Sequence, residues 1–306
     1  MFPDFPEFTP LHLELKDPYN ELVRDLPPYS DISFATLQIW WNLSEQLSVS
    51  ILNRNLVIDY HQPFDTANSG LSLIGKNKVD ASIQELFHYL REKHQKVQLL
   101  HVPQFVVDEI AQPETFVLQE EHDYNEYLLD SAGLAKLEGH EYQRLRKKIN
   151  RFIREIGEDR LEVKALDLTL TEVQDELFRS IAEWENANTA RNDPDHSEHL
   201  ALRKTLSHAA ALDIRNLAVF IDKRLHGIII YHQPLEKNYY VLHHLKASYE
   251  HSLISDYLHH EIAKRAAQNN VSVLNIEMDL GIESLKNHKM MLRPTDFFKK
   301  YTIRSI

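Results

Sequence analysis

The tetrapeptide Tyr60-His61-Gln62-Pro63 recurs as Tyr231-His232-Gln233-Pro234, and the same succession of elements follows each copy. After the first come an apolar segment from Leu71 to Ile74, a stretch with helical spacing from Ala81 to His94, and an apolar run from Val97 to Val102. After the second come Val241 to Leu245, a helical stretch from about Ser252 to Gln268, and Val271 to Ile276. A four-residue match arises easily by chance. Agreement over four successive elements at nearly constant spacing does not, and it predicts an internal duplication in which one half-chain is used twice.

A chain of 306 residues accommodates two such halves of about 150 residues, each able to bury a core of its own. Its 43% apolar and 26% charged content is that of an ordinary globular protein. No apolar run approaches the roughly 18 residues of a membrane span. The start, Met1-Phe2-Pro3-Asp4-Phe5-Pro6, lacks the basic region and apolar core of a signal peptide, so a cytoplasmic location without a transmembrane segment is expected. The absence of cysteine excludes disulfides, thiolate metal sites and cysteine nucleophiles. A net charge of −12 argues against DNA as a partner and confines any other polyanion to a local basic patch.

Ahead of the first repeat, Leu11 to Leu15 reads as a strand and Asp31 as the N-cap of a helix through Leu37, Trp40, Trp41 and Leu43. Strands are expected near Ser48 to Ile51 and Asn55 to His61. Between the repeats a helical block is expected from Asp123 to Lys136 and from Gly139 to Ile156. Leu161 to Leu166 echoes the opening strand, and Thr171 caps a helix through Trp184. The polar stretch from Asn186 to Asp195 precedes a helix at about Ser197 to Leu212 and strands at Leu217 to Ile221, Gly227 to His232 and Tyr239 to Leu245.

Strand, helices, three-strand meander, helix and strand resembles the order of the GNAT acyltransferase fold. The resemblance implies two neighbouring parallel strands that splay apart and offer backbone groups to an acyl arm, beside a helix N-terminus able to hold phosphate. Here that helix follows Tyr249-Glu250-His251-Ser252, which contains no glycine, in a chain with only seven. Close backbone approach to a pyrophosphate is therefore poorly supported, and acyl-coenzyme A is the less favoured donor.

Three stretches resemble the C-terminal domain family of phosphatidylglycerol lysyltransferases, whose members look like tandem GNAT domains. The first is Ser30-Asp31-Ile32-Ser33-Phe34 with Leu37 and Trp40. The second runs from Asp123-Tyr124 through Leu137-Glu138-Gly139, Tyr142 and Arg146 to Ile149-Asn150-Arg151-Phe152. The third comprises Glu277, Asp279 to Glu283, Leu285-Lys286, Lys289, Pro294 and Lys300-Tyr301. The chain departs from the family pattern at Lys147, Leu245, Ile276, Met278 and Ser284, where polar or glycine positions have changed. The resemblance implies transfer of an aminoacyl group from charged tRNA to a hydroxyl or amine, the acceptor being a lipid in membrane-anchored relatives. It also implies that Asp123 and Tyr124 contact substrate.

An aminoacyl ester is already activated, so the protein need only position it, stabilise an oxyanion and remove a proton from the nucleophile. No tightly bound cofactor is expected. Tyr142, Arg146 and Asn150 are four apart and share one edge of a helix, as pocket residues or as ordinary packing and surface groups. Arg144, Lys147, Arg151 and Arg154 on its opposite side are either a solvated face or a landing site for tRNA phosphates. Glu277 and Asp279 fall on one face if the chain stays extended, and are candidates for amine recognition or for a catalytic base, against a structural pairing of Glu277 with Lys246. Lys286, Lys289 and Arg293 are candidates for phosphate or carboxylate, or for plain surface. Among eighteen histidines, His243-His244, His259-His260-Glu261 and His196 with His199 lack ligand spacing, so no metal site is expected. His61 and His232 are expected to carry no chemistry.

The expected fold is therefore α/β (α+β), two tandem GNAT-like domains with mixed sheets flanked by helices, over residues 1–157 and 158–306, with the cleft in the second. The leading function is an aminoacyl or acyl transferase with a small-molecule, peptide or lipid acceptor. The rivals are a catalytically silent ligand-binding or regulatory protein and an acyl-coenzyme A N-acyltransferase.

Overall fold

The computed structural model describes residues 2–60, 69–187 and 196–306. His61-Gln62-Pro63 of the first tetrapeptide and residues 188–195 of the polar stretch lie outside the described residues. Strands occur at Thr9–Pro10 (β1), Ser48–Leu52 (β2), Asn55–Tyr60 (β3), Gly70–Ile74 (β4), Gln98–Pro103 (β5), Phe116–Glu120 (β6), Glu126–Asp130 (β7), Leu161–Lys164 (β8), Arg215–Ile221 (β9), Arg224–His232 (β10), Tyr239–Ala247 (β11), Val273–Asn275 (β12), Asp296–Phe298 (β13) and Lys300–Ser305 (β14).

They form two seven-stranded sheets, ordered β1-β2-β3-β4-β5-β14-β6 and β8-β9-β10-β11-β12-β7-β13. The two orders correspond place by place. Each has four antiparallel strands followed by a parallel pair, β4/β5 or β11/β12. The sixth place in each is filled from the other half of the sequence. C-terminal β14 lies antiparallel between β5 and β6, and β7, from the middle of the chain, lies antiparallel beside β12. The duplicated halves have exchanged one strand. In consequence the chain divides into units that are discontinuous in sequence: Met1–Glu126, Met278–Ile282 and Phe297–Ile306 in one, Tyr127–Glu277 and Glu283–Asp296 in the other. This differs from a division at 157/158.

Each sheet is covered by amphipathic helices. The Val79–Glu92 helix buries Val79, Ile83, Leu86, Phe87 and Leu90, a stripe at helical spacing. In the second unit the Ile254–Gln268 helix buries Ile254, Leu258, Ile262 and Ala266 on the same principle. Leu177, Ile181, Trp184, Leu202 and Leu206 share a second core with Ala218, Phe220, Ile228 and Ile230. Covered by helices on both faces, β10 carries the continuous apolar run Ile228-Ile229-Ile230 rather than an alternating pattern. Each such side chain contributes roughly 1.5–3 kcal/mol by leaving water.

Several local expectations are corrected. Leu11 to Leu15 is no strand: Leu13–Leu15 forms a 3-10 turn leading into a helix at Lys16–Val23, whose Pro18 sits in the first turn, where its missing N–H costs nothing. Asp31 is not an N-cap but lies buried in a 3-10 turn. The block from Asp123 to Lys136 contains β7, followed by a helix only at Ser131–Lys136, because the short apolar run Tyr127-Leu128-Leu129 fits a buried strand as well as a helix.

Lys300 opens β14 and is entirely buried. Its ammonium donates to Asp31 Oδ2 and lies 2.9 Å from Glu126 Oε1. Asp31 also accepts from Trp41 Nε1 at 3.0 Å, Glu126 from the Ser30 N–H at 2.8 Å, and the Lys300 N–H donates to Asn125 Oδ1 at 3.1 Å. Burial pulls the ammonium pKa down, but the two carboxylates outweigh it and hold it above the usual lysine value. Lys300→Met leaves two carboxylates buried without their cation and should cost about 3–5 kcal/mol. Denaturant unfolding checks this, and a loss below about 1 kcal/mol contradicts it.

Two deeply buried histidines make the fold acid-sensitive. Burial, then the neighbouring His288, push His259 down to about 3, and burial with His243 and Lys246 pushes His244 well below its ordinary value. Both are neutral in the folded chain and take up protons only on unfolding. Between the folded pKa of His259 and the unfolded value near 6.5 the unfolded state binds more protons, so stability rises with pH across that window and is lost as pH falls through it. Each such histidine contributes a slope of up to about 1.4 kcal/mol per pH unit. Unfolding free energies measured from pH 7 to 4 should show a slope reduced by about one proton in His259→Gln, and an unchanged slope contradicts the assignment.

Candidate functional site

β11 and β12 pair only at Tyr239, Tyr240 and Val241, opposite Val273, Leu274 and Asn275. Beyond Asn275 β12 ends, while β11 runs on to Ala247. The parallel pair thus parts within the second unit, and among the described residues the strand pairing of this part of β11 is with β10. At the parting point the β10/β11 register slips: Ile230 faces His244 and Tyr231 faces Leu242, so His243 is the extra residue of a bulge. A bulge re-aims a side chain, and this one turns an imidazole toward the end of β12.

His243 Nδ1 lies 3.0 Å from Glu277 Oε1, and its Nε2 lies 2.7 Å from His232 Nδ1, with the two rings nearly parallel at 12°. The His243 side chain is fully buried and that of Glu277 is 10% exposed. Glu277 is held there by a left-handed backbone of φ +56. Its N–H donates to Asn275 Oδ1 at 2.9 Å, its carbonyl accepts from the Tyr127 N–H at 3.2 Å, and Lys289 Nζ donates to the preceding carbonyl of Ile276 at 2.5 Å. Such a conformation costs a non-glycine residue about 1–3 kcal/mol and persists only where its surroundings fix it.

The order of protons along this chain follows from donor and acceptor inventories. An ionised Glu277 accepts only, so His243 Nδ1 carries a hydrogen. A neutral His243 then accepts at Nε2, which requires His232 to donate from Nδ1. His232 is the third member of this relay.

The first unit holds a related pair. His101, with φ +53, places Nδ1 at 2.7 Å from Glu121 Oε2, and Thr302 Oγ1 donates to the same carboxylate. Burial raises the Glu121 pKa, but the hydrogen bonds and charge of His101 outweigh it and hold the carboxyl below its ordinary value.

The remaining candidates separate. Glu277 and Asp279 do not share an extended face, since Glu277 and Leu280 are both left-handed. Asp279 lies in the first unit, where it accepts from the Gly281 N–H at 2.8 Å. Asp123 and Tyr124 also belong to the first unit: the Asp123 carbonyl accepts from the Leu280 N–H, and the Tyr124 ring lies 4.6 Å from that of His101. Glu277 does not pair with Lys246, which bonds to Glu185 and Glu198. Tyr142, Arg146 and Asn150 form no single pocket wall. Arg146 donates to the carbonyls of Leu137 and Gly139, tying the loop before its helix, and Asn150 is exposed. Tyr142 and Arg293 line an open cavity of about 500 Å³ together with Asp130, Gly133, Lys136 and Glu141. Burial, then Asp130 and Glu141, raise the Tyr142 hydroxyl above its usual value. This cavity adjoins the start of β12, whereas the relay sits at its end. Arg144, Lys147, Arg151 and Arg154 are exposed along the Gln143–Ile156 helix, Arg151 pairing with Glu155. Lys286 is exposed, and Lys289 is committed inward to Ile276.

His232 and His243 were not singled out by sequence as chemical groups. The one available signal was the histidine in second place of each repeated tetrapeptide. The contact of His243 with Glu277 depends on the bulge and the left-handed turn, neither of which has a sequence mark here.

Among the described residues, no helix is long and apolar enough to cross a membrane. A conserved protein of unknown function from Bacteroides thetaiotaomicron VPI-5482 superposes with a TM-score of 0.84 at 20% identity, covering 100% of both chains. The C-terminal domain of a putative lysylphosphatidylglycerol synthetase from Agrobacterium fabrum gives 0.63 at 14% identity, over 94% of this chain and 92% of that one. L-PGS from Bacillus licheniformis gives 0.60 at 10% identity, over 94% and 91%. No curated protein matches the sequence. The fold is that of tandem GNAT-like domains. The family described as phosphatidylglycerol lysyltransferase, C-terminal, matches residues 24–304, and the chain belongs to that family.

Proposed function

We propose that this chain transfers an activated acyl group, from aminoacyl-tRNA in preference to acyl-coenzyme A, to a hydroxyl or amine, and that the reaction runs at the parting of β11 and β12. The observation that carries this reading is the buried chain of Glu277, His243 and His232 at that point. The relay takes the proton from the acceptor through the His232 imidazole as the acceptor's oxygen or nitrogen attacks the ester carbonyl. The tetrahedral oxyanion is met by main-chain donors along the edge of β11 that β12 does not cover. Collapse breaks the ester C–O bond, and the proton returns from His232 to the departing ribose oxygen. Glu277 keeps both imidazoles in the required tautomers and stabilises the positive charge formed on the way.

The preference for tRNA rests on two features. Where a coenzyme A user holds pyrophosphate, this chain has Glu250 and no glycine, and a carboxylate there opposes a polyphosphate. The exposed row of Arg144, Lys147, Arg151 and Arg154 supplies cations on one helix of an acidic protein, as phosphate contacts require.

A panel of charged tRNAs and acyl-coenzyme A thioesters, followed for loss of the acyl bond and for product, tests the reaction. Turnover with charged tRNA is expected. His243→Asn and Glu277→Gln should lower kcat by about 10²–10⁴ while leaving donor binding within a few fold. Thermal stabilisation by a donor without any turnover points instead to a silent binding protein, and a response to coenzyme A thioesters alone reverses the donor assignment. The double variant Arg151→Glu/Arg154→Glu should weaken charged-tRNA binding and flatten its salt dependence by about two phosphate contacts. Unchanged binding removes this helix from the tRNA site.

A further inference from the structure

We propose that His226, Glu250 and His251 form a site for a divalent transition-metal ion of the zinc class, distinct from the relay of Glu277, His243 and His232. One ligand atom from each of the three residues lies within 4.8 Å of the others. The chemistry of the set is two imidazoles and one carboxylate, which suits zinc bound by three protein groups with a fourth position open to solvent.

Two observations lead to this set. His226 is 5% exposed, and its Nδ1 has no hydrogen-bond partner among the described residues. A buried ring nitrogen is seldom left so. That nitrogen lies 3.8 Å from Glu250 Oε2, whereas a hydrogen bond from histidine to carboxylate closes to about 2.8 Å. Two ligands on one tetrahedral zinc stand about 3.3 Å apart, a separation that rotation of the exposed Glu250 carboxylate reaches.

The second observation is a backbone device. The β9/β10 register slips between Leu225 and Gly227, making His226 the extra residue of a bulge and turning its ring toward the segment after β11. On that segment the Ser248 N–H donates to the His226 carbonyl at 2.7 Å and Ser248 Oγ accepts from the Glu250 N–H at 3.2 Å, which fixes where Glu250 and His251 begin. The rings of His226 and His251 are 5.2 Å apart.

A metal here clamps the β9/β10 hairpin to the turn that opens the Ile254–Gln268 helix. That turn is where a GNAT fold holds phosphate, and this chain has two histidines and a carboxylate there or beside it. Short-range motif spacing does not reveal the site, because His226 comes from a different strand from the Glu250-His251 pair.

Metal-stripped protein titrated with Zn²⁺ alone against a chromogenic chelator tests the proposal, with Co²⁺ absorption as a spectroscopic readout. The wild-type chain should take up one tight equivalent, show the visible bands of low-coordinate Co²⁺, and melt at a higher temperature when loaded. His226→Gln, Glu250→Gln and His251→Gln should each weaken that equivalent by about tenfold or more, whereas His199→Gln should not. Glu250 is exposed and His251 half-buried, so those two variants decide the matter if His226→Gln fails to fold. Absence of a stoichiometric equivalent in the wild type, or its full retention in Glu250→Gln and His251→Gln, overturns the proposal. Neither result depends on whether the chain transfers an acyl group.

Discussion

The parting of β11 from β12 is the constraint on which the chemistry of this chain depends. Three paired residues hold the two strands together, and beyond them β11 continues while β12 gives way to a left-handed turn at Glu277. A parallel pair that stayed in register would satisfy its main-chain groups along its whole length. Here the separation leaves one edge of β11 for other uses, and the bulge at His243 turns an imidazole toward Glu277. Lys289, bonded to the Ile276 carbonyl, and Asn275, bonded to the Glu277 N–H, hold the carboxylate in a backbone conformation that its residue type disfavours.

The scaffold that sustains this parting is built by exchange. Each sheet takes its sixth strand from the other half of the sequence, β7 in one and β14 in the other. In the first unit the exchanged strand is anchored by a buried cation between two carboxylates, an arrangement that leaves unpaired buried charge if one member is removed. In the second, β7 runs antiparallel to β12, and the Tyr127 N–H and carbonyl bond to Glu277 and Ile276. The exchanged strand therefore bears directly on the residue that positions His243.

Periodicity carried the sequence reading as far as local structure reaches. The repeat of meander, helix and strand is visible because each element has its own apolar pattern and the two copies share an order. β7 and β14 escaped because a short apolar run announces that it is buried but not what it pairs with, and their partners lie far away in sequence. Asp31 read as a helix cap because aspartate at such a place usually is one; its actual partner, Lys300, comes from the other end of the chain. Of the candidate site, Glu277 was legible from its motif. His232 and His243 were not, since alternation along a strand says which face a histidine takes and nothing about a bulge. Asp279 is no companion of Glu277, because the left-handed residues Glu277 and Leu280 turn the segment out of an extended path.

The chemistry turns on an ordered proton chain from Glu277 through His243 to His232. Nitrogen-15 chemical shifts of the histidine rings, assigned with His232→Gln and His243→Asn, measure it most directly. The account predicts that both rings carry their hydrogen on Nδ1. A hydrogen found on Nε2 of His232, with Nδ1 bare, reverses the direction of the chain and contradicts the account.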